Sequence, residues 1–181
     1  MSCAVPTKPL LGAEGPIEVR ALRLRARDER PAMNVWRLVA GRHAATAMSG
    51  DGAALFGGRW NPPGRRMVYT ADSLALATLE LSVHLTGGRV KYVALEYELP
   101  DEEIDALEPA SLKRTWATTE TSTRRVGEAW LDSRSSLALS VPSTLVDAHS
   151  GERNLLLNPA HSAATSVREV QRLEVVLDER L

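Results

Sequence analysis

A single cysteine, Cys3, leaves no partner for an internal disulfide and no thiolate set for zinc. Nor does the chain hold an apolar run near the roughly 20 residues that span a bilayer, or the basic start and apolar stretch of a leader peptide. A formal charge of −1, from 22 Lys and Arg against 23 Asp and Glu, supplies neither the global basicity that attracts nucleic acid nor an acidic tail. The histidines His43, His84, His149 and His161 are scattered without ligand spacing, so no metal is expected. No Gly-rich phosphate loop joins a strand to a helix, which argues against a doubly wound nucleotide fold. Repeats and low-complexity segments are missing too. The absences describe a cytoplasmic protein that acts without membrane, metal or direct nucleic-acid contact.

What is present is an ordinary folded composition, 44% hydrophobic and 25% charged over 181 residues, enough for one domain with a real core. Residues 1–33 read as an N-terminal extension and 34–181 as the domain. Within the extension, "IEVRALRLRA" (17–26) interleaves arginines with Ile17, Val19, Leu22 and Leu24, as an edge strand or an amphipathic helix does. Strand candidates are 34–39, 66–71, 89–99, 136–146 and 170–178, rich in β-branched and aromatic residues. In "RVKYVALEYEL" the apolar parity shifts midway, which predicts a bulge. The segment 119–134 predicts a late helix with Val126, Trp130 and Leu131 as its apolar contacts.

"LALATLELSVHL" (74–85) predicts a helix capped by Asp72 or Ser73 and stopped at Gly87 and Gly88. It is apolar on nearly every face, which places it in the interior. Glu80 sits in it among Leu76, Leu79 and Val83, and a carboxylate there needs a cationic or donor partner, or a cleft open to solvent. His84, one turn on, reads as a hydrogen-bonded structural histidine. Earlier, "LFGGRWNPPG" (55–64) holds Arg59 between glycines that bend and prolines that stiffen. The plain alternative for Arg59 is a turn arginine on the surface; for Glu80, a structural carboxylate paired with a core arginine.

"GDGAALFGGRWNPPGRRMVYTADSLALATLELSVHL" (50–85), "VPSTLV" (141–146) and "NLLLNPAHS" (154–162), in that order, resemble the RES-domain family of bacterial toxins, named for an arginine, a glutamate and a serine. The resemblance runs from about residue 34 to 178. It implies an α+β fold similar to that of ADP-ribosylating toxins: small mixed or antiparallel sheets forming a cleft for NAD, with the helix near 73–86 buried and further helices around it. It also implies that NAD is the substrate, and that the partner is an Xre-type helix-turn-helix antitoxin. On matching positions the arginine is Arg59, the glutamate Glu80 and the serine Ser143, as the catalytic set. Arg37, Arg59, Tyr69 and Asn154 become NAD-binding residues, with Asn158 and Pro159 in the same late loop.

The chemistry fits those residue types. An arginine fork binds phosphate oxygens with paired charge-assisted hydrogen bonds. Glycines before Arg59 let backbone approach a ligand closely. Cleavage of the nicotinamide–ribose bond develops positive charge at the ribose carbon, which a carboxylate such as Glu80 stabilises. Tyr69 offers an aromatic face to the cationic ring, Ser143 positions Glu80 or a ribose hydroxyl, and Trp60 is assigned to packing. Water, phosphate and a host protein stay open as the ADP-ribose acceptor, with 42–52 and 107–120 as acceptor-side loops. A mono-ADP-ribosyltransferase with one host enzyme as target is the first alternative, a non-catalytic NAD-cleft module the second. Homodimerisation stays open as well.

Overall fold

The computed structural model describes residues 32–84, 90–147 and 150–177. The arginine-rich stretch 17–26, Gly87, Gly88 and His149 lie outside the described residues. The helix expected over 74–85 with its stop at those glycines ends earlier, at Ser82, with Val83 as its C-cap. Among those described, the elements are β1 (Ala32–Ala40), α1 (Asp51–Phe56), β2 (Val68–Ala71), α2 (Leu74–Ser82), β3 (Tyr92–Pro100), β4 (Ile104–Ala106), α3 (Glu120–Ser133), β5 (Ala138–Pro142), β6 (Arg153–Leu157) and β7 (Arg168–Val175). The strands join in one sheet of order β4-β5-β6-β2-β1-β3-β7. Only β4–β5 is parallel; the other pairings are antiparallel. The chain thus adopts the expected α+β class, with its strands in one seven-stranded, mostly antiparallel sheet where several small sheets were expected.

Two halves meet in the middle of this sheet through one residue pair. β1 pairs with β3 along its whole length, from Ala32↔Pro100 to Ala40↔Tyr92, yet it meets β2 only at Trp36↔Ala71. One face of the sheet is covered continuously, by a core that includes Val35, Val68, Leu95, Leu99, Leu155 and Leu157. On the other face the cover is split. Trp60 and the α3 residues Trp130 and Leu131 pack on Met67, Leu139, Val141 and Leu156. Leu76 and Ala77 of α2 pack on Leu38, Ala71 and Ala94. A cleft runs between the two covers.

Burial on both faces explains two departures from expectation. The parity shift in β3 arises because Ala94 faces the α2 cluster while Leu95, Tyr97 and Leu99 face the opposite core. The β1–β3 register is unbroken; the irregularity lies on the β7 side, where Val170 is skipped between the pairs Glu96↔Gln171 and Tyr97↔Glu169. Likewise "NLLL" reads as part of a late loop, yet Arg153–Leu157 is a central strand. A strand buried on both faces is a continuous apolar run without alternation. β4 and α1 were not expected; they are three and six residues long, too short for a periodic pattern.

α2 corrects a third expectation. Ser73, not Asp72, caps it, its Oγ accepting from Leu76 N at 3.1 Å. Asp72 instead ties β2 to β6, its Oδ2 accepting from Arg153 N at 2.7 Å. Leu76 and Ala77 are buried, but Leu79 is 38% and Val83 54% exposed, so the helix is half-covered rather than interior. Uniform apolarity carries no signal about which side is covered.

The loop between α1 and β2 is locked from within. Asn61 is fully buried, and its two amide protons are shared among the carbonyls of Ala53, Pro62 and Arg65 at 2.9–3.0 Å. The Tyr69 hydroxyl donates to Asn61 Oδ1 at 2.7 Å and accepts from Trp60 N at 3.0 Å. Gly57 adopts φ +72°, and a Cβ on Gly58 would stand 2.4 Å from Tyr69 Oη. Both glycines line the cleft, and their missing side chains also make room for Pro63 and for Tyr69 of β2.

Asn61→Ala is expected to cost about 2–4 kcal/mol in urea unfolding, because buried carbonyls lose their donor. Burial pushes the Tyr69 phenol up to about 12, against the smaller pull of the Trp60 amide. The fold thus favours the neutral phenol. Its contribution to stability is complete below the unfolded value of 10.0 and is lost as pH rises through about 12. Burial also raises the Tyr97 phenol, so an absorbance titration of the native protein at alkaline pH should show late-ionising phenols, one fewer in Tyr69→Phe.

Candidate active site

The cleft has a volume of about 740 Å³, within the range of small-molecule sites. Arg37, Arg59, Tyr69, Glu80 and Asn154 all line it, although they come from β1, the α1–β2 loop, β2, α2 and β6. Ser143, after the end of β5, is 3% exposed and lies behind Glu80 rather than in the wall.

Glu80 is the focus. Its Oε1 accepts from Ser143 Oγ at 2.8 Å and from Asn154 Nδ2 at 2.5 Å. Ser143 Oγ in turn accepts from Leu145 N at 3.0 Å, which sets the direction of its own proton. Both bonds to the carboxylate end on the same oxygen, so among the described residues Oε2 has no donor. The donors are neutral, and the carboxylate lies half-buried in the cleft wall. A carboxylate held this way is oriented without being neutralised by an ion pair.

The two arginines occupy different settings. Arg37 leaves β1 next to its one contact with β2, and its Nη1 donates to Tyr69 O at 2.5 Å. Its Nε is buried without a hydrogen-bond partner. Burial lowers its pKa from the ordinary arginine value, with the nearby Tyr97 acting in the opposite direction. The residue as a whole is half-buried and lines the cleft, and a guanidinium there suits an anionic ligand. Arg59 is half-buried, and its Nη1 donates to Trp116 O at 3.2 Å in the segment before α3.

Tyr69 lines the cleft with its hydroxyl bound into the loop. Trp60 is 2% exposed and packs against Met67 and Trp130, as its assignment to packing anticipates. Among the described residues the His84 side chain has no hydrogen-bond partner, and it is exposed at the cleft wall, where a structural hydrogen-bonded histidine was expected. Asn158 is buried and serves the turn after β6, its Oδ1 accepting from Ala160 N at 3.0 Å. Among the described residues no group of three His, Cys, Asp or Glu is placed to hold a metal ion, and no helix is long and apolar enough to cross a membrane.

The structure adds residues that the sequence reading passed over. Glu120 and Arg124 of α3 line the cleft and pair with each other at 2.6 Å. The four-residue spacing of acid and base on a helix was the available signal. Asn61 organises the whole loop, and its only trace in sequence is the turn-forming Asn-Pro pair.

A family model for the RES domain matches residues 34–178. The chain is similar to a protein of Yersinia enterocolitica serotype O:8 / biotype 1B named "Toxin Res", 39% identical over 154 residues, which cover 82% of this chain and 99% of that one. It is also similar to the "Prs ADP-ribosylating toxin" of Sphingobium sp. (strain YBL2), 36% identical over 156 residues, 81% of this chain and 94% of the other. Among solved structures, the M. tuberculosis MbcT-MbcA toxin-antitoxin complex contains a chain that matches with a TM-score of 0.65 at 19% identity, covering 81% of this chain and 85% of that one. At that identity the likeness is one of fold. With the family match spanning most of the sequence and relatives of this similarity, the chain belongs to the RES domain family and is a toxin of that type.

Proposed function

We propose that the cleft binds NAD and that the protein cleaves the nicotinamide–ribose bond, passing ADP-ribose to an acceptor. The observation that carries this reading is Glu80, aligned through Oε1 by Ser143 and Asn154 in a cleft that also holds two arginines. Arg37 and Arg59 would take the pyrophosphate, and Tyr69 the face of the nicotinamide ring. The C1′–N bond breaks with its electron pair going to nicotinamide, which leaves neutral, so no strong general acid is required. The ribose becomes oxocarbenium-like, and a fixed carboxylate stabilises that charge more than the ground state. The acceptor oxygen then forms the new bond at C1′ and gives up its proton.

The acceptor distinguishes two readings. Water or phosphate makes the protein an NAD-degrading enzyme. A protein side chain makes it a mono-ADP-ribosyltransferase, a reading favoured by the name of the Sphingobium relative. An enzyme that consumes NAD endangers its own cell, so an inhibiting partner follows. We take it to be an Xre-type helix-turn-helix antitoxin that covers the cleft or inserts a residue near Arg37 and Arg59. A complex that leaves both arginines open to solvent would overturn that arrangement.

The deciding experiment incubates the purified protein with NAD, with and without phosphate and cell lysate, and identifies products by mass spectrometry. Free ADP-ribose identifies water, ADP-ribose 1″-phosphate identifies phosphate, and a labelled protein identifies a transferase. No release of nicotinamide under any condition would sink the proposal. Glu80→Gln should lower kcat about 10²–10³-fold with the fold intact. Asn154→Ala, which leaves Ser143 as the one remaining donor, should cost about tenfold to a hundredfold.

A further inference from the structure

We infer that α3 is the template that aims Arg59, and that Thr123 and Arg124 are positioning residues for this arginine; the inference rests on the NAD reading of the cleft. The direction of a side chain from the backbone is set by the two peptide planes that flank its Cα. Both planes around Arg59 are pinned. The Gly58–Arg59 peptide is held at its oxygen, which accepts from Arg124 Nε at 2.8 Å. The Arg59–Trp60 peptide is held at both ends. Its oxygen accepts from Thr123 Oγ1 at 2.7 Å, and its N–H donates to Tyr69 Oη at 3.0 Å.

Thr123 has a second acceptor in reach, Glu120 O at 2.9 Å, but one hydroxyl carries one proton. Glu120 O stands at the start of α3, where it can accept from the backbone amide one turn on, as any helical carbonyl does. Arg59 O has no comparable alternative among the described residues, so the hydroxyl proton belongs there. The next carbonyl completes the clamp. Trp60 O lies against the bare Cα of Gly127, where a Cβ would come within 1.9 Å of it. Three successive carbonyls, from Gly58 to Trp60, are thus read by one face of α3 at positions 123, 124 and 127.

This arrangement explains chemistry that helix formation does not need. A β-branched residue, 0% exposed, and a glycine both weaken the middle of a helix. Here each has a partner in the Arg59 loop. Arg124 is tied by Glu120 on one side and the loop on the other, so its guanidinium holds the loop while facing the cleft. Thr123 is not a cleft residue and cannot touch substrate, which makes it the clean probe.

The test compares Thr123→Val, which keeps the shape and removes the donor, with Thr123→Ser, which keeps the donor. NAD binding is measured by calorimetry on a Glu80→Gln background, and KM and kcat on the Glu80 protein. Thr123→Val should weaken NAD binding about tenfold or more and raise KM more than it lowers kcat, with Thr123→Ser close to the parent. A purely structural role would lower thermal stability in Thr123→Val and leave binding of the folded fraction unchanged, and that result overturns the inference. If Thr123→Val does not fold, Thr123→Ala takes its place with the same two outcomes. Should the Glu80→Gln parent itself fail to bind NAD, the reading of the cleft falls and the template role with it. Equal binding by parent and Thr123→Val removes the template role alone.

Discussion

A carboxylate on an apolar helix must find donors, and the way Glu80 finds them organises the site. α2 packs on β1 and β2, but both donors come from elsewhere: Asn154 from β6 and Ser143 from the turn after β5. The hydrogen bonds therefore cross from the α2 cover to the part of the sheet beyond β2. They span the region where the β1–β2 ladder is reduced to the Trp36–Ala71 pair. One oxygen of the carboxylate carries this connection. The other has no donor among the described residues.

The cleft itself follows from the incomplete cover of the sheet. One face is sealed by a continuous core, whereas the other is sealed at two places by α2 and by α3 with Trp60. The gap between them cannot collapse, because each cover is fixed to its own strands by buried leucines, methionine and tryptophans. The walls that result are unlike each other. The α2 side presents Glu80, and the loop side presents Arg59 with Glu120 and Arg124 behind it. The Glu80 carboxylate and the Arg59 guanidinium thus stand on different walls of a space the size of a small molecule.

Rigidity on the loop side is built from polar groups. Asn61, Tyr69 and Thr123 are buried or nearly so, and each makes at least one hydrogen bond to backbone of the 53–65 segment. Such networks cost much when half-satisfied and specify one conformation when complete. Segments of this kind are where proteins carry function, since regular structure leaves no room to aim a side chain freely.

Much of this was legible in the residues themselves. The late helix and the strands around Trp36, Tyr69, Tyr97 and Val141 follow from pattern. Arg59 and Glu80 stand out by their settings, and the grouping of both with Ser143, Asn154, Arg37 and Tyr69 is what the family resemblance implies. Periodicity and motif spacing are local, and a local pattern survives without knowledge of the fold. What the tertiary structure alone decided is everything that depends on which face is covered. It made "NLLL" a central strand, left Leu79 of α2 and Val83 just after it open, and packed Gly58 against Tyr69. It also placed Ser143 behind Glu80 and brought Thr123 and Arg124 to the Arg59 loop, partners more than 60 residues apart. Burial and hydrogen bonding between distant segments are properties of the packed sheet, and no single segment encodes them by itself.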